Sequence, residues 1–179
     1  ALDALAHQAR GLRFHCPNAL HVNALDEDWA RLLKRAGFET IRLGLESGKK
    51  NPAVFGHKTD LERFGLSIEG LRCAGFSADQ LGAYLLAGVP GQSVEEVSEA
   101  IEAVASLGVQ PFLAEYSPLP STPLFDRAQA HSPFDLNEPL FQNNSFFACR
   151  RSDFSLQDLQ GLKNQAREKR GLVRRAVQA

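Results

Sequence analysis

The stretch LGAYLLAGVPGQSVEEVSEAIEAVASLGVQPFLAEY, residues 81–116, decides the fold. Leu81 to Ala87 is nearly all apolar, as expected of a strand covered on both faces. Gly88-Val89-Pro90-Gly91-Gln92 makes a turn, and Ser93 with Glu96 forms a capping box that opens a helix. Val97, Ile101, Val104 and Ala105 recur at helical spacing, and Gly108 ends the helix after Leu107. A second strand then runs from Val109 to Glu115, with Pro111 pointing to an edge position. A strand, a helix of this length and another strand make a parallel pair joined by a right-handed crossover.

The same unit recurs upstream. Leu12 to His15 reads as a short strand ending in a Pro17-Asn18 turn. Asp26 offers an N-cap for a helix through Ala36, with Trp29, Leu32, Leu33 and Ala36 as its apolar face. Gly37 stops it, and a strand follows from Glu39 to Leu45. After a loop of Gly, Lys, Asn and Pro, Thr59-Asp60-Leu61-Glu62 forms a second capping box, for a helix reaching about Ala74 with Cys73 in its core face. Downstream of Tyr116 prolines are dense and the period is lost. A last helix, capped by Ser155, carries Leu156, Leu159 and Leu162 on one stripe. Four strand–helix units predict an α/β fold: a partial TIM-like barrel of about four parallel units plus a helical C-terminal tail. The reading divides the chain into a partial barrel over 1–116 and an extension over 117–179 that ends in a basic helix.

At 179 residues, 44% hydrophobic and 23% charged, the chain can build a core and is not a disordered or low-complexity sequence. No apolar run approaches the ~20 residues that span a bilayer. Net charge is −1, yet residues 161–179 hold six basic residues against Glu168 alone. The expectation is a solvated helix face; without a basic stripe interleaved with aromatics, nucleic acid is not an expected partner. Cys16, Cys73 and Cys149 have neither disulfide-framework nor metal-site spacing, so no metal ligand set is expected within the chain. Their odd, sparse count fits a reducing cytoplasm.

In such folds functional residues gather at the carboxyl ends of the strands. Those ends are His15, Glu46 with Ser47, the turn Gly88 to Gln92, and Glu115 with Tyr116. Glu46 can accept hydrogen bonds from a diol or an amine, or pair with Arg42 or a lysine. The 88–92 turn lets backbone approach a ligand before a helix N-terminus, or is a simple tight turn; it lacks the lysine of a Walker phosphate loop. No G-x-S-x-G serine and no strand lysine stands out. From spacing alone the chain is a ligand-binding arc of an α/β barrel.

Arg13-Phe14-His15-Cys16-Pro17-Asn18-Ala19-Leu20-His21, Ile41-Arg42-Leu43-Gly44-Leu45-Glu46-Ser47-Gly48, Tyr84 to Ser93 and Glu115 to Pro123, in this order, resemble the radical S-adenosylmethionine enzymes, most of all the branch with a cobalamin-binding domain ahead of the radical domain. The resemblance covers about Arg13 to Arg167. It implies strands three to six of a six-unit half barrel, with S-adenosylmethionine and a [4Fe–4S] cluster as cofactors and cobalamin as a further candidate in the full-length protein. By position, Glu46 would meet the ribose hydroxyls and Lys58 the methionine carboxylate, with Ser47 a further cofactor-binding residue. Leu86, Gly88, Pro90 and Gly91 would pack on adenine, and backbone at Tyr116 and Pro118 would complete its pocket. The family's C-x-x-x-C-x-x-C loop is absent, so the missing N-terminal part of the same protein is the expected partner. Family members often carry an acidic residue where His15 stands and a glycine where Ser121 stands. Two rivals are a non-catalytic half-barrel that binds a nucleotide-like ligand or a protein partner, and an aldolase-like barrel enzyme.

Overall fold

The computed structural model describes residues 2–8, 11–46, 61–144 and 146–178. Their elements are α1 (Leu2–Gln8), β1 (Phe14–His15), β2 (Leu20–His21), α2 (Glu27–Arg35), β3 (Phe38–Glu46), α3 (Leu61–Cys73), β4 (Leu81–Ala87), α4 (Val94–Ser106), β5 (Gln110–Glu115), α5 (Phe125–His131) and α6 (Leu156–Gln178). Every pairing among these strands of the described residues is parallel. β1 and β2 both pair with β3, β3 with β4, and β4 with β5. β1 and β2 thus act as two pieces of one interrupted strand, and the sheet is a curled half-barrel of four parallel strands with a long C-terminal helix. The expected α/β architecture is the one observed.

The interruption changes the geography of the first unit. Pairing resumes after Pro17-Asn18, with Leu20 opposite Leu43 and His21 opposite Gly44. The carboxyl end of that strand is therefore His21, not His15. His15 lies opposite Thr40, near the amino end of β3, where its Nδ1 is 3.0 Å from Thr40 Oγ1 and its Nε2 is 4.0 Å from Glu39. It belongs to the wrong end of the barrel for a functional role.

Alternation along β4 sets the two faces. Leu81, Ala83, Leu85 and Ala87 are fully buried in one core with Phe64, Ile68 and Leu71 of α3 and Val97, Ile101 and Val104 of α4. The other face, with Tyr84 and Leu86, is only half-buried. The uniformly apolar strand is thus covered fully by helices on its outer side and partly on its concave side. α6 contributes Leu159, Leu162 and Ala166 to the same core. β5 ends the described sheet, as Pro111 suggested, and Arg170 Nη1 of α6 donates to the Pro111 carbonyl at 2.8 Å, covering an edge acceptor.

Helix starts follow their sequence signals. Asp26 Oδ1 accepts from Trp29 N at 2.8 Å, and Ser93 and Glu96 form both halves of a capping box. Ser155 Oγ accepts from Asp158 N at 3.2 Å. The Thr59–Asp60 box lies outside the described residues. Three expected core positions are corrected. Trp29 is 49% and Leu156 51% exposed, because Ala30 with Leu33, and Leu159 with Leu162, take the inward stripes. Cys73 is exposed, because α3 buries Phe64, Ser67, Ile68 and Leu71, a run of three- and four-residue steps that leaves position 73 on the opposite side.

The segment after β5 builds a small core of its own. Ala128, Leu136, Ala148 and Cys149 are buried there, with Tyr116, Phe125, Phe134, Phe141 and Phe146 packed around them. The rings of Phe134, Phe141 and Phe146 lie with centroids 4.9–5.0 Å apart.

Candidate functional site

The carboxyl ends of β3, β4 and β5 lie side by side because the ladder places Glu46 opposite Leu85 and Ala87 opposite Glu115. Tyr116 N then donates to Ala87 O at 2.9 Å, extending the ladder one step past β5. Glu46 is the last residue of β3, and a register shift between Gly44 and Glu46 marks the strand end. Its backbone is described but its side chain is not. Ser47 and Lys58 lie outside the described residues.

The turn after β4 is closed from within. Gln92, buried at 5% exposure, accepts from Gly88 N at 2.9 Å and Val89 N at 3.3 Å, and its Nε2 donates to Leu86 O at 3.0 Å. Two turn amides that could have cradled an anion are therefore already satisfied by one side chain. Gly88, at φ +86°, faces Phe147, whose ring occupies the place a Cβ would take. The missing side chain of Gly88 makes room for the C-terminal segment. Arg151 holds that segment down, its Nη2 donating to Gln92 O at 2.7 Å. Val89 and Pro90 are buried, while Gly91 is exposed.

At the end of β5, Tyr116 is half-buried and Pro118 buried. Burial raises the Tyr116 phenol above its ordinary value, Cys149 adds to that rise, and a hydrogen bond with Thr122 opposes it. Glu115, with a side chain only 9% exposed, forms an ion pair with Lys163 of α6. The basic tail is accordingly more than a solvated face. Lys163, Lys169, Arg170 and Arg174 each bind an acceptor on β5 or α4.

A [4Fe–4S] cluster does not fit the described residues. No group of three His, Cys, Asp or Glu side chains among them could hold a metal ion. Cys16 donates to Asn18 O beside the amino half of β3, Cys73 is exposed on α3, and Cys149 is buried in the C-terminal core. The strand ends instead gather a carboxylate residue, Glu46 of β3, with half-buried Leu86 and the backbone running from Glu115 to Pro118.

Solved radical S-adenosylmethionine enzymes share this curled parallel half-barrel fold. Coproporphyrinogen III oxidase (HemN) from Escherichia coli matches with a TM-score of 0.59 at 17% identity, over 84% of this chain and 31% of its own length. The radical S-adenosylmethionine methyltransferase TsrM from Kitasatospora setae, bound to cobalamin and a [4Fe–4S] cluster, matches with a TM-score of 0.56 at 18% identity, over 72% of this chain and 27% of its own. The same enzyme with tryptophan substrate and the analogue aza-SAM gives 0.58 at 16% identity. At these identities the likeness is one of fold, and the chain spans less than a third of each protein. Neither a family model nor a curated protein sequence matches it. Among the described residues no helix is long and apolar enough to cross a membrane.

Sequence reasoning did not find Gln92 as the clasp of the turn, nor Phe147 and Arg151 as its cover. A glutamine just after the second glycine of G-V-P-G-Q was a usable signal, since its amide can serve donors and acceptors at once. Phe147 and Arg151 carry no local signal.

Proposed function

We propose that this chain is the C-terminal portion of the radical domain of a radical S-adenosylmethionine enzyme, in the cobalamin-associated branch. The observation that carries the proposal is the parallel half-barrel that it shares with HemN and TsrM, with Glu46 ending the strand next to the β4 turn. The cluster's ligands lie outside the described residues, in the part of the protein that this chain does not include. In the full-length protein such a cluster would supply the electron that splits bound S-adenosylmethionine into methionine and a 5′-deoxyadenosyl radical.

What this chain contributes is binding and orientation. Glu46, with Ser47, accepts hydrogen bonds from the ribose diol, and Lys58 neutralises the methionine carboxylate. Leu86, Pro90 and the backbone from Tyr116 to Pro118 flank the adenine with apolar surface. The closed 88–92 turn acts as a fixed wall, not as an anion cradle, since Gln92 already holds its amides. Cobalamin belongs to the full-length protein on this reading, and the substrate is unidentified. Titration of the protein containing this chain with S-adenosylmethionine tests the assignment. Glu46→Gln is expected to weaken binding by about 1–3 kcal/mol, the scale of a hydrogen bond to a charged group, while leaving the melting temperature nearly unchanged. Unchanged affinity with a large loss of stability would make Glu46 a structural residue and favour a non-catalytic half-barrel.

A further inference from the structure

The concave face of the sheet holds a cluster that the cofactor reading does not use. Arg42, at the middle of β3, lies opposite Gly82 of β4, and Gly82 opposite Gln110 of β5. Tyr84 lies opposite Phe112, with their ring centroids 5.9 Å apart. The Arg42 guanidinium carbon is 4.5 Å from the Phe112 ring centroid, and that of Arg170, reaching over from α6, is 4.8 Å from the same centroid. Arg174 stands next to them, donating through Nε to Gln110 Oε1 at 2.7 Å. Gly82 makes the arrangement possible: a Cβ there would lie 2.7 Å from Phe112 Cε2 and 2.9 Å from Arg42 Cδ.

Among the described residues no carboxylate forms an ion pair with any of these three arginines. Burial holds the Arg42 guanidinium below its ordinary value; Tyr84 opposes that fall, and Arg174 adds a smaller push in the same direction as burial. Burial also lowers Arg170, followed by Arg174, Arg167 and Arg42. Cations sharing one half-buried aromatic ring repel one another, and an anion between them relieves that repulsion. A purely structural role, fastening α6 to the sheet, accounts for Arg170 and Arg174, which bind Pro111 O and Gln110 Oε1. It does not account for Arg42, which among the described residues makes one hydrogen bond, to its neighbour's carbonyl, Ile41 O, at 3.2 Å. A guanidinium carries five N–H donors in a planar fork. No buried side-chain nitrogen or oxygen among the described residues lacks a partner, so the remaining Arg42 donors are open to solvent and to a ligand.

We propose that this face binds the carboxylate of a small organic acid on the Arg42 fork, with the acid's planar apolar body against Tyr84 and Phe112. A fork that matches both oxygens of a carboxylate and flat half-exposed rings beside it together define that class of ligand. The site sits at mid-strand on the concave surface and does not depend on the cofactor assignment at the strand ends.

Isothermal titration of the protein containing this chain with benzoate, benzamide and inorganic phosphate tests it. Benzoate should bind, benzamide, which has the ring without the charge, should not, and phosphate should bind more weakly than benzoate. Arg42→Gln should weaken benzoate about tenfold, the cost of losing a charge-assisted pair. Arg42→Lys, which keeps the charge and loses the fork, should fall between the two and carries the comparison if Arg42→Gln does not fold. Equal binding of benzoate and benzamide, or benzoate affinity unchanged in the variants, would overturn the proposal. Phosphate binding more tightly than benzoate would overturn the assignment to an organic acid.

Discussion

Phe147 fills the space in front of Gly88. The ring, 4% exposed, belongs to the C-terminal extension, whereas Gly88 begins the turn at the top of β4. The two segments are far apart in sequence, so the contact fastens the extension onto the carboxyl end of the sheet. Gly88→Ala both strains a backbone at φ +86° and drives a methyl into the ring. The expected loss is about 2–4 kcal/mol, from left-handed strain plus overpacking. Urea unfolding should show it, and Phe147→Ala in the same background should cost less than the two single changes together, because the clash is removed. Strict additivity would mean that the ring does not occupy that space.

Ser121 is the one non-glycine residue at positive φ among those described, at +64°. It stands where the resembling enzymes often carry glycine. Ser121→Gly should relieve left-handed strain of about 1 kcal/mol, offset in part by the greater freedom of glycine in the unfolded chain. The expected result is a small gain in unfolding free energy or none. A clear loss would show that the Ser121 side chain contributes contacts that outweigh its strain.

The three thiols should react in the order of their exposure. Cys73 is exposed, Cys16 half-buried and Cys149 buried, and burial pushes the Cys149 thiol up to about 11. A thiol-reactive disulfide reagent should modify Cys73 first and Cys149 only on unfolding. The same shift has a pH signature. Because the Cys149 pKa is raised in the folded state, the unfolded chain releases its proton first. Stability should therefore fall as pH rises from about 9 to about 11. Cys149→Ser should flatten that alkaline slope; an unchanged slope would assign it to other groups.

Lys58 gives a ligand-side test of the cofactor reading. A cation that meets the methionine carboxylate should matter for S-adenosylmethionine and not for 5′-deoxyadenosine, which has no carboxylate. Lys58→Ala should raise the dissociation constant of the first by about tenfold, on the scale of a charged hydrogen bond, and leave the second unchanged. An equal effect on both would contradict the role.

The fold was legible wherever its signals were local. The Ser93–Glu96 capping box, the Asp26 cap and the apolar run of β4 each specify an element without help from distant residues, and all three stand in the structure. Pairing that depends on a distant partner was not legible. Leu20 and His21 follow a Pro-Asn turn that reads as the end of a strand, and only the neighbouring β3 recruits them. Helix faces were misread where a small residue outcompeted a large one, as Ala30 did Trp29. Of the candidate site, the ends of β3, β4 and β5 were visible from the α/β order, whereas the end of the first strand was not. The filling of the turn by Gln92 and Phe147, and the gathering of Arg42, Phe112 and Arg170 around one ring, depend on contacts between separate elements and leave no trace in sequence spacing.

The central claim is that the protein containing this chain uses S-adenosylmethionine as a radical source. The most direct measurement is anaerobic reconstitution of that protein with iron and sulfide, followed by reduction and chromatographic assay for 5′-deoxyadenosine and methionine. The account predicts that both appear, that Glu46→Gln slows their formation through weaker binding, and that the 179-residue chain alone produces neither. Reconstituted, folded protein that binds no S-adenosylmethionine and yields no 5′-deoxyadenosine would contradict it.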